Sequence, residues 1–353
     1  MTICPALLEP VFSPRPWGAR SLAPFYPDKN DLAEPLGEAW LTGYECRFAN
    51  GPFAGKKLGE AWAEMPVEWS GTALETGAGF PLLLKFIFAE DKLSVQVHPD
   101  DAFARAHEKL PDGQPGRGKT EMWYAVQARP GAEVLLGLKE SVTRDALARS
   151  ISDGTAEDSL VHVPMSTGDV IFVPAGTAHT IGPGLVLCEI QQYSDFTYRV
   201  FDYNRRDAQG RSRELHIEKA LQVMRFGKQL GGKVAPVLLQ RDGFKETFFV
   251  ACRYFATEKW EFSNRAGEST SPRHFELLIF LAGCGSISWS GGSAAYAPAQ
   301  AWLLPAALGR YDLAAAAPTS LLRTYVPENP ADFALLARER GADAADAARL
   351  VFV

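Results

Sequence analysis

Short apolar runs separated by Gly, Pro and Asp recur through most of the chain, and this rhythm restricts the fold more than any other feature. LLLKFIF, KLSVQVH, EMWYAV, EVLLGL, DVIFVP, LVLCEIQQ and FTYRVFDY are the clearest examples. Each has the length of a strand and is bounded by turn-forming residues. The spacing predicts an all-β sandwich or barrel. Three helical stretches interrupt it. Asp100 or Asp101 can cap a helix through about Leu110, and Ser141 or Thr143 can cap another through RDALARSI. Residues 212–226 carry apolar side chains at helical spacing and end at Gly227. Residues 228–240 read as a linker. Beyond it, 241–327 echoes the first half in ETFFVACRYFATEKWEF, HFELLIFLAGCGSISWS, QAWLLPA and SLLRTYV, and 330–348 reads as a closing helix. The expected organisation is therefore two β-barrels with inserted helices, over 1–235 and 236–353.

Composition narrows the class. With 46% hydrophobic and 22% charged residues, the 353-residue chain is neither disordered, collagen-like nor a coiled coil. A net charge of −6 without a Lys/Arg cluster argues against a nucleic-acid partner. A small anionic ligand would need a local basic site. The five cysteines are scattered, odd in number and form no CxxC, so they read as buried thiols in a reducing compartment. The N-terminus lacks a basic segment followed by a continuous apolar core, and the longest apolar runs are too short to span a bilayer. The expectation is a cytoplasmic protein with no membrane partner.

Chemistry-bearing residues sit inside the apolar runs. In KLSVQVHPDD, strand alternation puts Leu93, Val95 and Val97 on one face and Ser94, Gln96 and His98 on the other. Such a polar face needs partners if it is buried, and is otherwise a hydrogen-bonded pair facing solvent. In GKTEMWYAV, Lys119, Glu121, Trp123 and Ala125 share a face. Glu121 is there either a metal ligand, a buried acid or a carboxylate at an exposed strand entrance. In FTYRVFDY, Arg199 faces the same side as Thr197 and Phe201. A guanidinium in an apolar strand needs an anion. Asp195 or Asp202 would serve as a structural bridge; alternatively Arg199 is a clamp for an anion or transition state at the barrel mouth.

The most specific motif is Gly168, five residues, Pro174, one residue, Gly176, two residues, His179. It resembles the second signature motif of the cupin barrels. Their first motif carries HxH followed closely by Glu. Here Gln96-Val-His98 stands in that place and Glu121 follows His98 by 23 residues, which reads as an insertion between two barrel strands. The resemblance implies a metal set of His98, Glu121 and His179, with Gln96 as a fourth ligand. Two imidazoles and a carboxylate with an open position suit Zn²⁺ and equally Fe(II).

Taken in order, QVHPDD, GKTEMWY and SDFTYRVFDY are joined by Pro16-Trp17-Gly18, GEAW at 37–40, NGPFAGKKLGE at 50–60 and HIEKAL at 216–221. Over most of its length the chain resembles the type I mannose-6-phosphate isomerases in their short bacterial form. That resemblance implies a zinc-dependent aldose–ketose isomerase with one Zn²⁺ per chain, working as a monomer or homodimer on a small sugar phosphate. By the same resemblance His98, Glu121, His179 and Gln96 bind the metal, Arg199 is catalytic, and Lys119 and Asp195 line the pocket. Asp195, Lys119 or a metal-bound water would serve as the base. Lys119, Arg205 and Arg206 are candidates for the phosphate. The second barrel offers His274 and Glu276 but no complete metal set, so it is expected to be degenerate and structural. Two rival readings are an Fe(II) oxygenase on the same triad and a non-catalytic sugar-binding cupin.

Overall fold

The apolar runs become strands, and the strands pair antiparallel into four sheets in the computed structural model, which describes residues 1–352 other than 75–77, 111–112 and 207–209. A seven-stranded sheet is centred on Glu121–Ala128, Leu185–Gln192 and Leu82–Ala89. A five-stranded sheet runs in the order Tyr198–Phe201, Val95–Val97, His179–Ile181, Glu133–Leu138, Leu160–Pro164. Apolar side chains of both, among them Ile87, Trp123, Ile171 and Leu187 from the first and Val134, Leu136 and Ile181 from the second, form one core between them.

The second half repeats the arrangement. An eight-stranded sheet and a four-stranded sheet enclose a core of Trp260, Leu278, Phe280, Trp302, Ile287, Tyr311 and Leu313. The seven- and eight-stranded sheets then pack back to back, with Leu84, Phe86, Met122, Phe172 and Ile190 against Leu277, Ile279, Leu303 and Leu322. This stacking explains why Leu82–Ala89 shows no polar alternation: it is buried on both faces. Helices Asp101–His107 and Arg144–Ser152 are capped by Asp100 and Thr143, as their sequences suggest.

Several expectations need correction. The helix expected over 212–226 is only Ile217–Val223, because Arg213, Glu214 and His216 are bonded to the neighbouring strand. The expected linker 228–240 contains the strands Gly232–Lys233 and Val237–Gln240, both at sheet edges, where short, weakly apolar strands suffice. The closing helix is two helices, Pro330–Glu339 and Ala344–Ala348, parted at Gly341, whose φ of 111° no helix continues. The expected division at residue 235 is crossed by Ala6–Glu9 and Arg47–Phe48, which join the eight-stranded sheet through Ala301–Leu304. Four of the cysteines are buried, but Cys284 is exposed. Among the described residues no helix is long and apolar enough to cross a membrane.

Candidate metal centre and active-site cavity

Register brings the candidate residues together. In the five-stranded sheet Gln96 stands opposite His179 on one side and opposite Arg199 on the other. In the facing sheet Glu189 stands between Trp123 and Lys85, and Glu121 is opposite Gln191. Period-two alternation turns these side chains into the space between the sheets.

His98, Glu121 and His179 converge there, with their ligand atoms all within 4.8 Å of one another, and each side chain is at most 2% exposed. Glu121 Oε2 lies 3.6 Å from His98 Nε2, and Oε1 lies 3.4 Å from His179 Nε2. Each imidazole is oriented by its other nitrogen. His98 Nδ1–H donates to the Phe196 carbonyl and His179 Nδ1–H to the Thr177 carbonyl, both at 3.0 Å. That tautomer leaves both Nε2 lone pairs facing Glu121, as ligation of a cation requires. Burial, reinforced by the Lys119 charge, holds His98 well below the usual imidazole range and lowers His179 to about 4, so both are neutral. Gln96 lies beside them, its amide Nε2 3.3 Å from His179 Nε2 and its Oε1 3.5 Å from Ser94 Oγ. The donor set fits a divalent metal such as zinc. Among the described residues it is the only such group of three.

Lys119 joins this group to a longer line of buried charge. Its ammonium bonds Glu121 and lies 3.1 Å from His98 Nε2 and 3.7 Å from Glu189. Glu189 accepts from Trp123 Nε1 at 2.9 Å and pairs with Lys85 at 3.1 Å. Lys85 also lies 3.7 Å from Glu38, which in turn pairs with Arg15 at 2.7 Å. Burial alone would push the Glu189 carboxyl up, but Lys119 and Lys85 hold it well below the usual range. Burial alone would lower Lys85, but Glu189 and Glu38 raise it, so it stays charged.

A cavity of about 440 Å³ opens beside this line, and Gln96, Lys119, Asp195 and Arg199 are all on its wall. Its other charged lining residues are Arg15, Lys85, Arg213, Glu38 and Glu189, so basic groups outnumber carboxylates. Arg199 does not form the bridge to Asp195 or Asp202 weighed from the sequence. Its Nε donates to Ser94 Oγ at 3.3 Å and its Nη1 to the Glu214 carbonyl at 3.0 Å, while Asp202 is held by Arg205 and Arg213. Its guanidinium thus has no carboxylate partner among the described residues. Asp195 is exposed at the cavity, with no hydrogen bond among the described residues. Arg205 and Arg206 are not on the cavity wall. The first bonds Asp202 and the Lys92 carbonyl, and the second the Gly210 carbonyl. His98, Glu121 and His179 lie behind the cavity wall, reached through Gln96 and Lys119, and a larger cavity of about 820 Å³ beside Tyr44, Trp62 and Arg117 contains none of these five residues.

The residues that sequence reasoning missed are Lys85, Glu189, Glu38, Arg15 and Arg213. Lys85 carried a signal: a lysine inside the otherwise apolar LLLKFIFA is costly unless paired. In the second half, His274 stacks on Tyr325 at 4.2 Å and Glu276 accepts two bonds from Arg323, so neither contributes to a metal group.

A buried pair of histidines and a carboxylate between two β-sheets, beside a cation-lined cavity, defines a cupin-like protein with a metal-type site. A family model described as phosphomannose isomerase type I, catalytic domain, matches residues 7–131. The mannose-6-phosphate isomerase of Streptococcus mutans is 36% identical over 289 residues, covering 80% of this chain and 87% of that protein. A probable mannose-6-phosphate isomerase of Bacillus subtilis is 35% identical over 316 residues, covering 88% and 96%. The crystal structure of the mannose 6-phosphate isomerase from Bacillus subtilis superposes with a TM-score of 0.80 at 29% identity, over 91% of this chain and 99% of that one. The chain belongs to the type I mannose-6-phosphate isomerase family of enzymes.

Proposed function

We propose that the protein interconverts D-mannose 6-phosphate and D-fructose 6-phosphate in the cytoplasm, with one zinc ion held by His98, Glu121, His179 and Gln96. The observation that carries this reading is the convergence of two Nε2 lone pairs and a carboxylate beside a cavity lined by the guanidinium of Arg199, which meets no carboxylate among the described residues. The barrel formed mainly by 1–235 is catalytic, and the one formed mainly by 236–353 is structural.

The reaction moves a proton between C2 and C1 of the open-chain sugar through an enediol. Bound zinc would polarise the sugar's carbonyl oxygen. Arg199 stabilises the negative charge that develops on the oxygens. Asp195 is a free carboxylate on the cavity wall and carries the proton between the two carbons. Lys119 is tied to Glu121 and His98, so it orients the ligand carboxylate. The excess of basic side chains on the cavity wall matches a phosphorylated substrate.

The test is a coupled assay that follows fructose 6-phosphate formed from mannose 6-phosphate before chelation, after chelation and after return of zinc. Loss and recovery of activity are expected. A zinc-loaded protein without activity would overturn the assignment, and activity restored by Fe(II) alone with oxygen uptake would favour the oxygenase reading.

A further inference from the structure

The strand Tyr198–Phe201 lies at the edge of the five-stranded sheet, with a partner on one side only. An edge residue presents an unpaired N–H and C=O to its open side. At Arg199 both groups are satisfied by a single residue. The backbone N–H of His216 donates to the Arg199 carbonyl at 2.8 Å. His216 Nδ1 accepts from the Arg199 N–H at 3.3 Å. Two residues earlier, the Glu214 carbonyl accepts from Arg199 Nη1 at 3.0 Å. The segment 214–216 therefore grips one arginine at three points, two on its backbone and one on its guanidinium.

The grip is anchored beside itself. Arg213 Nε donates to Asp202 Oδ2 at 2.8 Å, pinning the same leg to the residue just after the strand. On the opposite side of the guanidinium, Nε donates to Ser94 Oγ, which lies 3.5 Å from Gln96 Oε1. Arg199 is thus fixed from both flanks, and its Nη2 has no hydrogen bond among the described residues. His216 itself lines the cavity with Arg199.

We infer that His216 is a positioning residue for Arg199: its Nδ1 and backbone N–H hold the arginine's backbone in the place from which the guanidinium meets the substrate. This rests on the reading of Arg199 given above. The Nδ1 acceptor requires the imidazole to be neutral with its proton on Nε2. No part of the substrate need touch His216. Its contribution is to keep a charge-stabilising group from drifting, and displacement of such a group by about 1 Å can lower the rate on the order of a hundredfold.

Two substitutions separate the acceptor from the bulk of the ring. His216→Phe keeps an aromatic ring and removes the acceptor. His216→Asn loses the ring and keeps an oxygen able to accept from the Arg199 N–H. Both are assayed as zinc-loaded protein, with zinc content and thermal melts measured in parallel, and His216→Ala replaces the Phe variant if that does not fold. The expected result is a fall in kcat of about 10- to 100-fold for Phe, with zinc content unchanged, and most of the activity retained by Asn. In an Arg199→Ala background, His216→Phe is expected to add nothing, because residues acting through one group are not additive.

A wild-type rate for His216→Phe would overturn the inference, as would equal losses for Asn and Phe. An undiminished effect of His216→Phe on the residual rate of Arg199→Ala would also overturn it. Should Arg199→Ala itself keep wild-type activity, the reading of Arg199 fails and the inference falls with it. A disabled Arg199→Ala beside an unaffected His216→Phe removes the inference alone.

Discussion

At the scale of single residues, the interior of the first half is organised by paired charge. Arg15, Glu38, Lys85, Glu189, Lys119 and Glu121 alternate in sign along one line that ends at the two imidazoles. Buried ions hold only as a set, because removing one leaves its partners uncompensated. Lys85→Ala, which takes one of two cations from each of Glu38 and Glu189, is expected to cost about 3 kcal/mol of stability, visible as a lower urea midpoint. Arg199→Ala is expected to behave differently. Its guanidinium pairs with no carboxylate among the described residues, so stability and metal content are expected to change little, while kcat falls on the order of 10²- to 10³-fold. Elemental analysis beside steady-state rates checks both parts. The resemblance to the cupin motifs pointed to His98, Glu121, His179 and Gln96 as a set; the first three converge and Gln96 lies beside His179. Lys119 and Glu121 were also placed on one face by alternation, which holds inside a strand whatever its neighbours. The pairing of Lys85 with Glu189 was not legible, because it depends on which strands lie side by side.

At the scale of elements, the leg 213–216 shows how tertiary bonds override a helical pattern. The apolar spacing of 212–226 favours a helix, yet its first turn is given up to Asp202 and Arg199. The Arg213–Asp202 link carries a pH signature. Burial alone would raise the Asp202 carboxyl, but Arg213 and Arg205 outweigh it and hold it below the ordinary aspartate range. A carboxylate depressed in the folded state stabilises above its unfolded value of about 3.9 and loses that contribution as pH falls through the folded value. Asp202→Asn is therefore expected to cost about 1 kcal/mol at neutral pH, and the difference from wild type should vanish in strong acid. Urea melts from pH 7 down to about 2 measure this. The edge strands Gly232–Lys233 and Val237–Gln240 were hidden for a related reason: a two- or four-residue edge strand needs no alternation of its own.

At the scale of the whole molecule, the two halves are joined by a shared core and by a strand exchange. Ala6–Glu9 pairs with Ala301–Leu304, and the seven- and eight-stranded sheets bury their outer faces on each other. A fragment comprising residues 1–235 would expose Leu84, Phe86, Phe172 and Ile190, and the strand Ala6–Glu9 would keep Arg47–Phe48 on one side but lose Ala301–Leu304 on the other. It is expected to be insoluble or to bind a hydrophobic dye more strongly than the full chain. A soluble, zinc-binding fragment would contradict this account of the interface. Among its described residues the second half has no metal group, and its buried carboxylates Glu258 and Glu276 are bonded to Arg323.

By itself, the sequence determined the all-β class and the family, and through that resemblance it pointed to His98, Glu121 and His179 as a group, because strand periodicity and fixed motif spacing are local properties of the chain. Only the tertiary structure decided that Arg199 meets no carboxylate among the described residues and that Arg205 and Arg206 lie off the cavity. It alone placed Lys85 and Glu189 behind Lys119, and the N-terminal strand in the second half. Each of these depends on strand order and register, which bring residues up to some 300 positions apart into contact and which no local pattern encodes.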